Sequence, residues 1–332
     1  MACPASSAPG SVAGLSSRRR AVLASTLASL PWLLAGCPAA APIRLAGHPW
    51  PGYQPMFLAQ ALGYLPDGVQ LHETSSVQES LDLTRQRRVD GVMLTLDEVL
   101  QLRDQGLPLG IVLVFDVSRG ADMLLARPDI RTLADLKRRR VGVEDTALGT
   151  LMLTLVLDKA GLSREDVVVH RMAYERHEAA WLGREIDALI TYEPVGGRLM
   201  ALGAHQLLST RQLPATIFDV LAVHSGVLES QADTLRAGLA AYFKALRYLR
   251  QNPWDAAYRL APRLQISAEA MIDSLRGLEL PDLVGNQRYL AEQGSALLQA
   301  ALRLSPIMQQ AGLLHKPVDP RRLLSNRYLP QS

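Results

Sequence analysis

The chain has 332 residues with 48% apolar content, enough for two globular domains of roughly 100–200 residues each. Its formal charge of +3 comes from Arg18, Arg19 and Arg20, which lie in a stretch without acids; the other 32 basic side chains balance 32 acidic ones. A body without net charge or a long basic stripe excludes a nucleic-acid surface; the short run 137–140, flanked by Asp135 and Glu144, reads as a solvated helix end.

Residues 1–36 combine those arginines with an apolar run at 21–35, too short to span a bilayer as a mature helix. This is the pattern of a secretory signal. It ends in Leu34-Ala35-Gly36-Cys37, which resembles the bacterial lipobox. That resemblance implies that Cys37 is lipid-modified and becomes the new N-terminus. The alternative is a plain signal peptide cut near Ala39-Ala40-Ala41. Ser17-Arg18-Arg19 hints at twin-arginine export but lacks the following Phe-Leu. The second cysteine, Cys3, falls in the leader, so the body has no thiol pair for a disulfide or a cysteine metal site.

After a tether at 37–42, strands and helices alternate. Ile43-Arg44-Leu45-Ala46-Gly47 reads as a first strand, and Met56-Phe57-Leu58-Ala59 opens a helix. Between them, His48-Pro49-Trp50-Pro51-Gly52-Tyr53-Gln54-Pro55 is a loop stiffened by three prolines. Val69-Gln70-Leu71-His72-Glu73 alternates as a strand does, 76–87 is helical, Gly91-Val92-Met93-Leu94 is a buried strand, and 97–105 is helical. Gly110-Ile111-Val112-Leu113-Val114-Phe115 is another strand, followed by a break at 116–120. A second series follows: strand Met123-Leu124-Leu125-Ala126, a short helix capped by Thr132, strand Val141-Gly142-Val143, helix 150–160, strand 167–170, helix 176–183 and strand Ala188-Leu189-Ile190. Phe218-Asp219-Val220-Leu221-Ala222-Val223 is a return strand. From 231 the chain is helical, with one apolar face formed by Leu235, Leu239, Tyr242, Leu246 and Leu249, and a similar stretch at 286–304. The predicted fold is α/β with two lobes, each a mainly parallel sheet flanked by helices. One lobe comprises 43–117 plus 219–332 and the other 118–218, joined by a two-stranded hinge.

Three groups of residues carry a family resemblance over roughly 43–255. They are Trp50-Pro51-Gly52-Tyr53-Gln54-Pro55 with Ala59, Gly63 and Tyr64; Leu133-Ala134-Asp135-Leu136-Lys137 with Val141-Gly142-Val143; and Ile186-Asp187-Ala188 with Tyr192-Glu193-Pro194 and Gly203. In their order, and with the lipobox, they resemble the substrate-binding proteins of ABC importers in the nitrate/sulfonate/taurine group, which also holds binders of thiamine-pyrimidine precursors. Arg138-Arg139-Arg140 departs from the family's usual Gly-Lys turn. The resemblance implies the type II periplasmic-binding-protein fold, with ligand held between the lobes by loops at strand ends and helix starts. Here those carry Trp50, Gly52, Tyr53, Ser75, Ser76, Thr95, Asp97, Asp122, Glu144, Thr146, Tyr192 and Glu193. Helix N-termini and the Ser and Thr hydroxyls could hold an anionic head group, and the aromatics an apolar or cationic part. Ser76, Thr95, Asp97 and Glu193 serve equally well as helix caps. Asp97, Asp122, Glu144 and Glu193 have only Arg119 nearby as a cation, which favours an amine or heteroaromatic N–H over a pure anion.

The expected function is the solute-binding component of an importer. Its ligand would be sulfonate- or taurine-like or amine- or pyrimidine-like, and its partners a membrane permease and an ATPase. A monomer at the periplasm or cell surface is expected, without cofactor or metal. A ligand-binding sensor for a membrane receptor is the alternative. An exported enzyme is less favoured: the fold also hosts lyases and a pyrimidine synthase, but the cysteine-rich iron motif of the latter is missing, and Ser118 lacks the flanking glycines of a nucleophile elbow.

Overall fold

A computed structural model of the chain describes residues 41–213 and 217–331. The predicted leader and the Cys37 lipid site lie outside the described residues, as do residues 214–216 in the second predicted crossing between lobes.

Two sheets form. The first has strand order β11-β4-β10-β3-β1-β2. It contains β1 (Ile43–Gly47), β2 (Val69–Glu73), β3 (Gly91–Thr95), β4 (Leu109–Ser118), β10 (Phe218–His224) and β11 (Leu278–Glu279). The second has order β7-β6-β8-β5-β9. It is built from β5 (Asp122–Ala126), β6 (Arg140–Glu144), β7 (Val168–Met172), β8 (Ala188–Tyr192) and β9 (His205–Ser209). Strand β1 pairs in parallel with β2 and β3, and β6 pairs in parallel with β7 and β8. Between the parallel strands sit reversed ones: β10 is antiparallel to β3 and β4, and β5 to β8 and β9. The sheets are therefore mixed where the sequence suggested mainly parallel pairing. The reason is connectivity. Each of β5 and β10 is entered directly from the other sheet, so the chain arrives at the end where its neighbours finish.

Strands β3, β4, β5 and β10 are buried along their whole length. This explains their continuous apolar runs in place of alternation. Strand β4 continues through Asp116, Val117 and Ser118, where a break was expected. The turn to β5 comes at 119–121, where Gly120 has φ 123° and the Arg119 N–H is bonded to the Gly277 carbonyl at 2.7 Å.

The helix Ala232–Gln251 buries the predicted stripe of Leu235, Leu239, Tyr242, Leu246 and Leu249. Helix Ala147–Ala160 starts three residues before the predicted start, because Thr146 accepts the Gly149 N–H and caps it. The stretch predicted as one helix at 286–304 is two, Leu283–Tyr289 and Ala296–Gln310. Gly294, at φ 68°, breaks the path, and Ser295 caps the second helix. Among the described residues no helix is long and apolar enough to cross a membrane.

In both sheets the order reverses around one strand, β1 in the first and β6 in the second. A crevice opens at the carboxyl ends of strands flanking such a point. Those ends deliver His48 and Trp50 after β1, Thr95 from β3, Glu144 from β6 and Tyr192 from β8. The reversed strands begin at the same edge, so Asp219 pairs with Thr95, and Asp122 with Tyr192.

Asn286 stands in for a strand neighbour that β4 lacks. Its Oδ1 accepts the Val114 N–H at 2.7 Å, and its Nδ2 donates to the Val114 carbonyl at 3.1 Å. Truncation would strand both buried backbone groups, at about 1–3 kcal/mol each. Asn286→Ala is expected to lower the urea midpoint by an amount equivalent to about 2–4 kcal/mol with the m-value unchanged. Unaltered stability would show that water replaces the side chain.

Candidate functional site

The loop after β1 is fixed from within. Pro51 sits at the start of a 3-10 turn, Pro51–Tyr53, that runs into helix Gln54–Ala61. The Trp50 carbonyl accepts from the Tyr53 N–H at 3.2 Å and from Gln54 Nε2 at 3.0 Å. Trp50 Nε1 then donates to Asp116 Oδ2 at 3.1 Å. Gly52 is required here: a Cβ on it would lie 1.7 Å from that same carboxylate oxygen. Tyr53 is buried behind the loop, edge-on to Phe115 and His48, with its OH donating to Asp219 Oδ1 at 2.5 Å.

Where the two sheets face each other, His48, Trp50, Val77, Thr95, Glu98, Asp122, Glu144, Leu148, Tyr192 and Asp219 line a small cavity of about 20 Å³, room for about one water, which shares His48, Val77, Glu144 and Tyr192 with a neighbouring groove. Trp50 closes it edge-on against Tyr192, ring centres 5.3 Å apart. Tyr174 stacks flat on the other side of Tyr192 at 4.3 Å. Past this aromatic gate lies an open groove of about 410 Å³ whose lining includes Ser75, Ser76, Glu144, Tyr174, Tyr192 and Arg263. A second groove of that volume, along residues 314–322, is centred on Arg103. That guanidinium is engaged by the carbonyls of Leu109, Asp319, Arg321 and Arg322, so it clamps the C-terminal segment.

Of the predicted site residues, Trp50, Thr95, Asp122, Glu144 and Tyr192 come together on the cavity, and Ser75 and Ser76 lie in the groove. Gly52 and Tyr53 support the Trp50 loop from behind. Asp97 is buried off the cavity lining, which takes Glu98 from the same helix turn. Thr146 caps helix Ala147–Ala160, and Glu193 accepts the Gly197 N–H at 3.0 Å. Neither lines the cavity. Sequence reasoning missed Asp219, Glu98 and His48. An acid inside the otherwise apolar strand β10 was the available signal for Asp219. Glu98, three residues after Thr95, was readable as the far half of a capping box. His177 is buried with Nδ1 3.1 Å from the Thr191 hydroxyl.

The electrostatics are one-sided. Asp97, Glu98, Asp116, Asp122, Glu144 and Asp219 are all buried, and no Lys or Arg lines the cavity among the described residues. Burial pushes Asp122 up to about 6 and Glu144 up to about 7. Burial pushes Asp97, Glu98, Asp116 and Asp219 upward as well, helped by repulsion from Asp122 at Asp97 and Asp116, from Asp97 at Glu98 and from Asp116 at Asp219. Burial holds the His48 imidazole neutral, down to about 4. Asp122 Oδ2, Thr95 Oγ1 and His48 Nδ1 are buried without a hydrogen-bond partner. The arrangement is thus a receptor made of acceptors.

These raised carboxyls set a pH dependence. The folded state holds protons that the unfolded chain, with carboxyls near 4, has already lost. Stability is therefore greatest at the acid end of this window and falls as pH rises from about 4 toward 8. Calorimetry of the ligand-free protein is expected to give a higher unfolding midpoint near pH 5 than near pH 8, and the double variant Asp122→Asn, Glu144→Gln to flatten that slope.

Comparison with known proteins places this geometry. Over 79 residues the chain is 32% identical to a binding protein of Brucella abortus, covering 24% of this chain and 25% of that protein. The match thus spans about a quarter of the relative's length. Among solved structures, the periplasmic aliphatic sulphonate binding protein SsuA from Escherichia coli superposes with TM-score 0.71 at 17% identity, over 85% of this chain and 91% of the other. The desulfurization enzyme DSZB shares the fold at TM-score 0.63 and 18% identity, over 86% of this chain and 97% of that one. The fold is that of periplasmic binding proteins, and an enzyme has been built on it too. The NMT1/THI5 like family profile matches residues 50–256, well over half of the chain, and the protein belongs to that family.

Proposed function

We propose that the protein is the solute-binding component of an ABC importer. A small polar organic solute sits between the lobes and is delivered to a membrane permease energised by an ATPase. The observation that carries this reading is the cavity between the sheets, lined by Trp50 from one and Tyr192 from the other in edge-on contact, and continued by the groove that shares His48, Val77, Glu144 and Tyr192 with it. A solute that touches both lobes only when they are together stabilises the closed form over the open one. The lobes divide, in this proposal, at the turn 119–121 and between β9 and β10. A binding role is favoured over catalysis by the likeness to solved binding proteins.

Protein purified without refolding is expected to carry a small molecule detectable by native mass spectrometry, and Trp50→Ala to lose it. If no molecule co-purifies and no fraction of a metabolite extract raises the melting temperature, the solute-binding reading fails.

The N-terminal pattern supports a monomer exported and held at the membrane surface through a lipid on Cys37. Cys37→Ala is expected to move the protein from the membrane fraction to the soluble one. A wild-type protein found wholly in the soluble fraction would refute the anchor.

A further inference from the structure

We propose that the solute is a small organic cation, an ammonium or amidinium compound with an apolar portion, and that its positive group is received by Asp122 and Thr95. The inference rests on the reading of the cleft as a solute site and names what that site selects.

Three observations carry it. The first is the donor and acceptor balance. The polar atoms facing the cavity belong to Asp122, Glu144, Glu98, Asp219, Thr95 and neutral His48. Among them Asp122 Oδ2 and Thr95 Oγ1, both buried, have no partner. An uncompensated buried carboxylate is costly, so the closed cleft needs positive charge or protons.

The second concerns the groups that would hold an anion. At three helix N-termini by the cleft a backbone N–H is already taken by the chain itself. The Thr95 N–H donates to Glu98 Oε2 at 3.1 Å, the Gly149 N–H to Thr146 Oγ1 at 3.0 Å, and the Glu79 N–H to Ser76 Oγ at 3.3 Å. Glu98 thereby adds a carboxylate to the cavity lining. In the outer groove, Arg198 is bridged to Glu178 at 2.9 Å and Arg263 to Glu73 at 2.8 Å. These contacts leave fewer free donors for an anionic head group.

The third is the wall. Trp50, Tyr192, Leu148 and Val77 line the same space. An aromatic face attracts a cation and also packs against its hydrocarbon part.

Protons compete for the same place. Asp122 is faced by Tyr192 on β8, Ser118 on β4 and Glu144 at the end of β6. Asp97 and Glu98 face it from helix Leu96–Asp104, Asp116 and Asp219 from the β4–β10 pair, and His48 from the loop after β1. Tyr53, Tyr174 and Glu175 lie beyond them. None of these groups supplies a positive charge at neutral pH. A bound cation takes the place of protons, so affinity rises with pH, by up to about tenfold per unit for each proton displaced.

The test is titration calorimetry and thermal shift on the full chain with probes of matched size. Ammonium and amidinium probes are choline, propylammonium and acetamidinium; anions are propanesulfonate and acetate; taurine is the zwitterion. The expected result is that at least one cation binds near pH 8 and more weakly near pH 5, while the anions do not bind. Asp122→Asn, checked for folding by circular dichroism, should weaken that cation by about 30-fold or more; Asp145→Asn, on an exposed carboxylate, should not. Binding of a sulfonate in preference to every cation, or failure of all cations, overturns the proposal. If a neutral or anionic molecule co-purifies with the protein, the cation falls while the solute-binding reading stands. If nothing co-purifies and no probe binds, both fall.

Discussion

The structure depends on two reversed strands. Strands β5 and β10 each enter a sheet at the edge where their parallel neighbours end. They therefore bring their first residues, Asp122 and Asp219, to the mouth of the cleft. A wholly parallel arrangement would place strand starts at the opposite edge. The acid character of the site follows from this connectivity as much as from composition. Two of its carboxylates arrive on strands whose remaining residues are core.

Keeping so many carboxyls out of water has a cost that the fold meets by local pairing. Asp116 is held by Trp50 and faces Asp219 across the β4–β10 pair; Asp219 takes the Tyr53 hydroxyl; Glu98 closes a capping box on Thr95. Both oxygens of Asp97, Oδ1 of Asp116 and Oδ2 of Asp122 are left unpaired, and of these three residues Asp122 alone lines the cavity, among aromatics and without a cation. Such surroundings raise the pKa of Asp122 to about 6, so that a proton and a positive group compete for it. The likeness to a sulphonate binding protein and the chemistry of this cavity are therefore compatible. A shared fold at 17% identity positions the cleft, and the side chains that line it determine what enters.

Much of the layout could be read from the residues. The βαβ alternation, the crossings between two series, the stiff loop at 48–55 and the apolar stripe of the long helix were legible because they rest on local periodicity and on proline geometry. Trp50, Thr95, Asp122, Glu144 and Tyr192 could be picked out because each lies at a strand end, and strand ends at a switch point form a crevice. Asp219 was passed over because its neighbours in sequence are all core; only its pairing with Thr95 and Asp116, far away in the chain, puts it at the cleft. Glu98 and Asp97 are adjacent and alike in type, and the helix turn decides which one faces the cavity.

By itself, the sequence determined that two α/β units share one interrupted chain, and that aromatic and acidic residues cluster at the ends of their strands. Both properties are local, set by hydrophobic period, turn chemistry and side-chain type. Tertiary structure decided the rest: that Ser76 and Thr146 serve their own helices, that Tyr53 and Gly52 support the loop from behind, and that the acids converge without a partner cation. A hydroxyl or carboxylate can cap a helix or meet a solute with the same atoms, and only the packing of distant strands fixes which of the two it does.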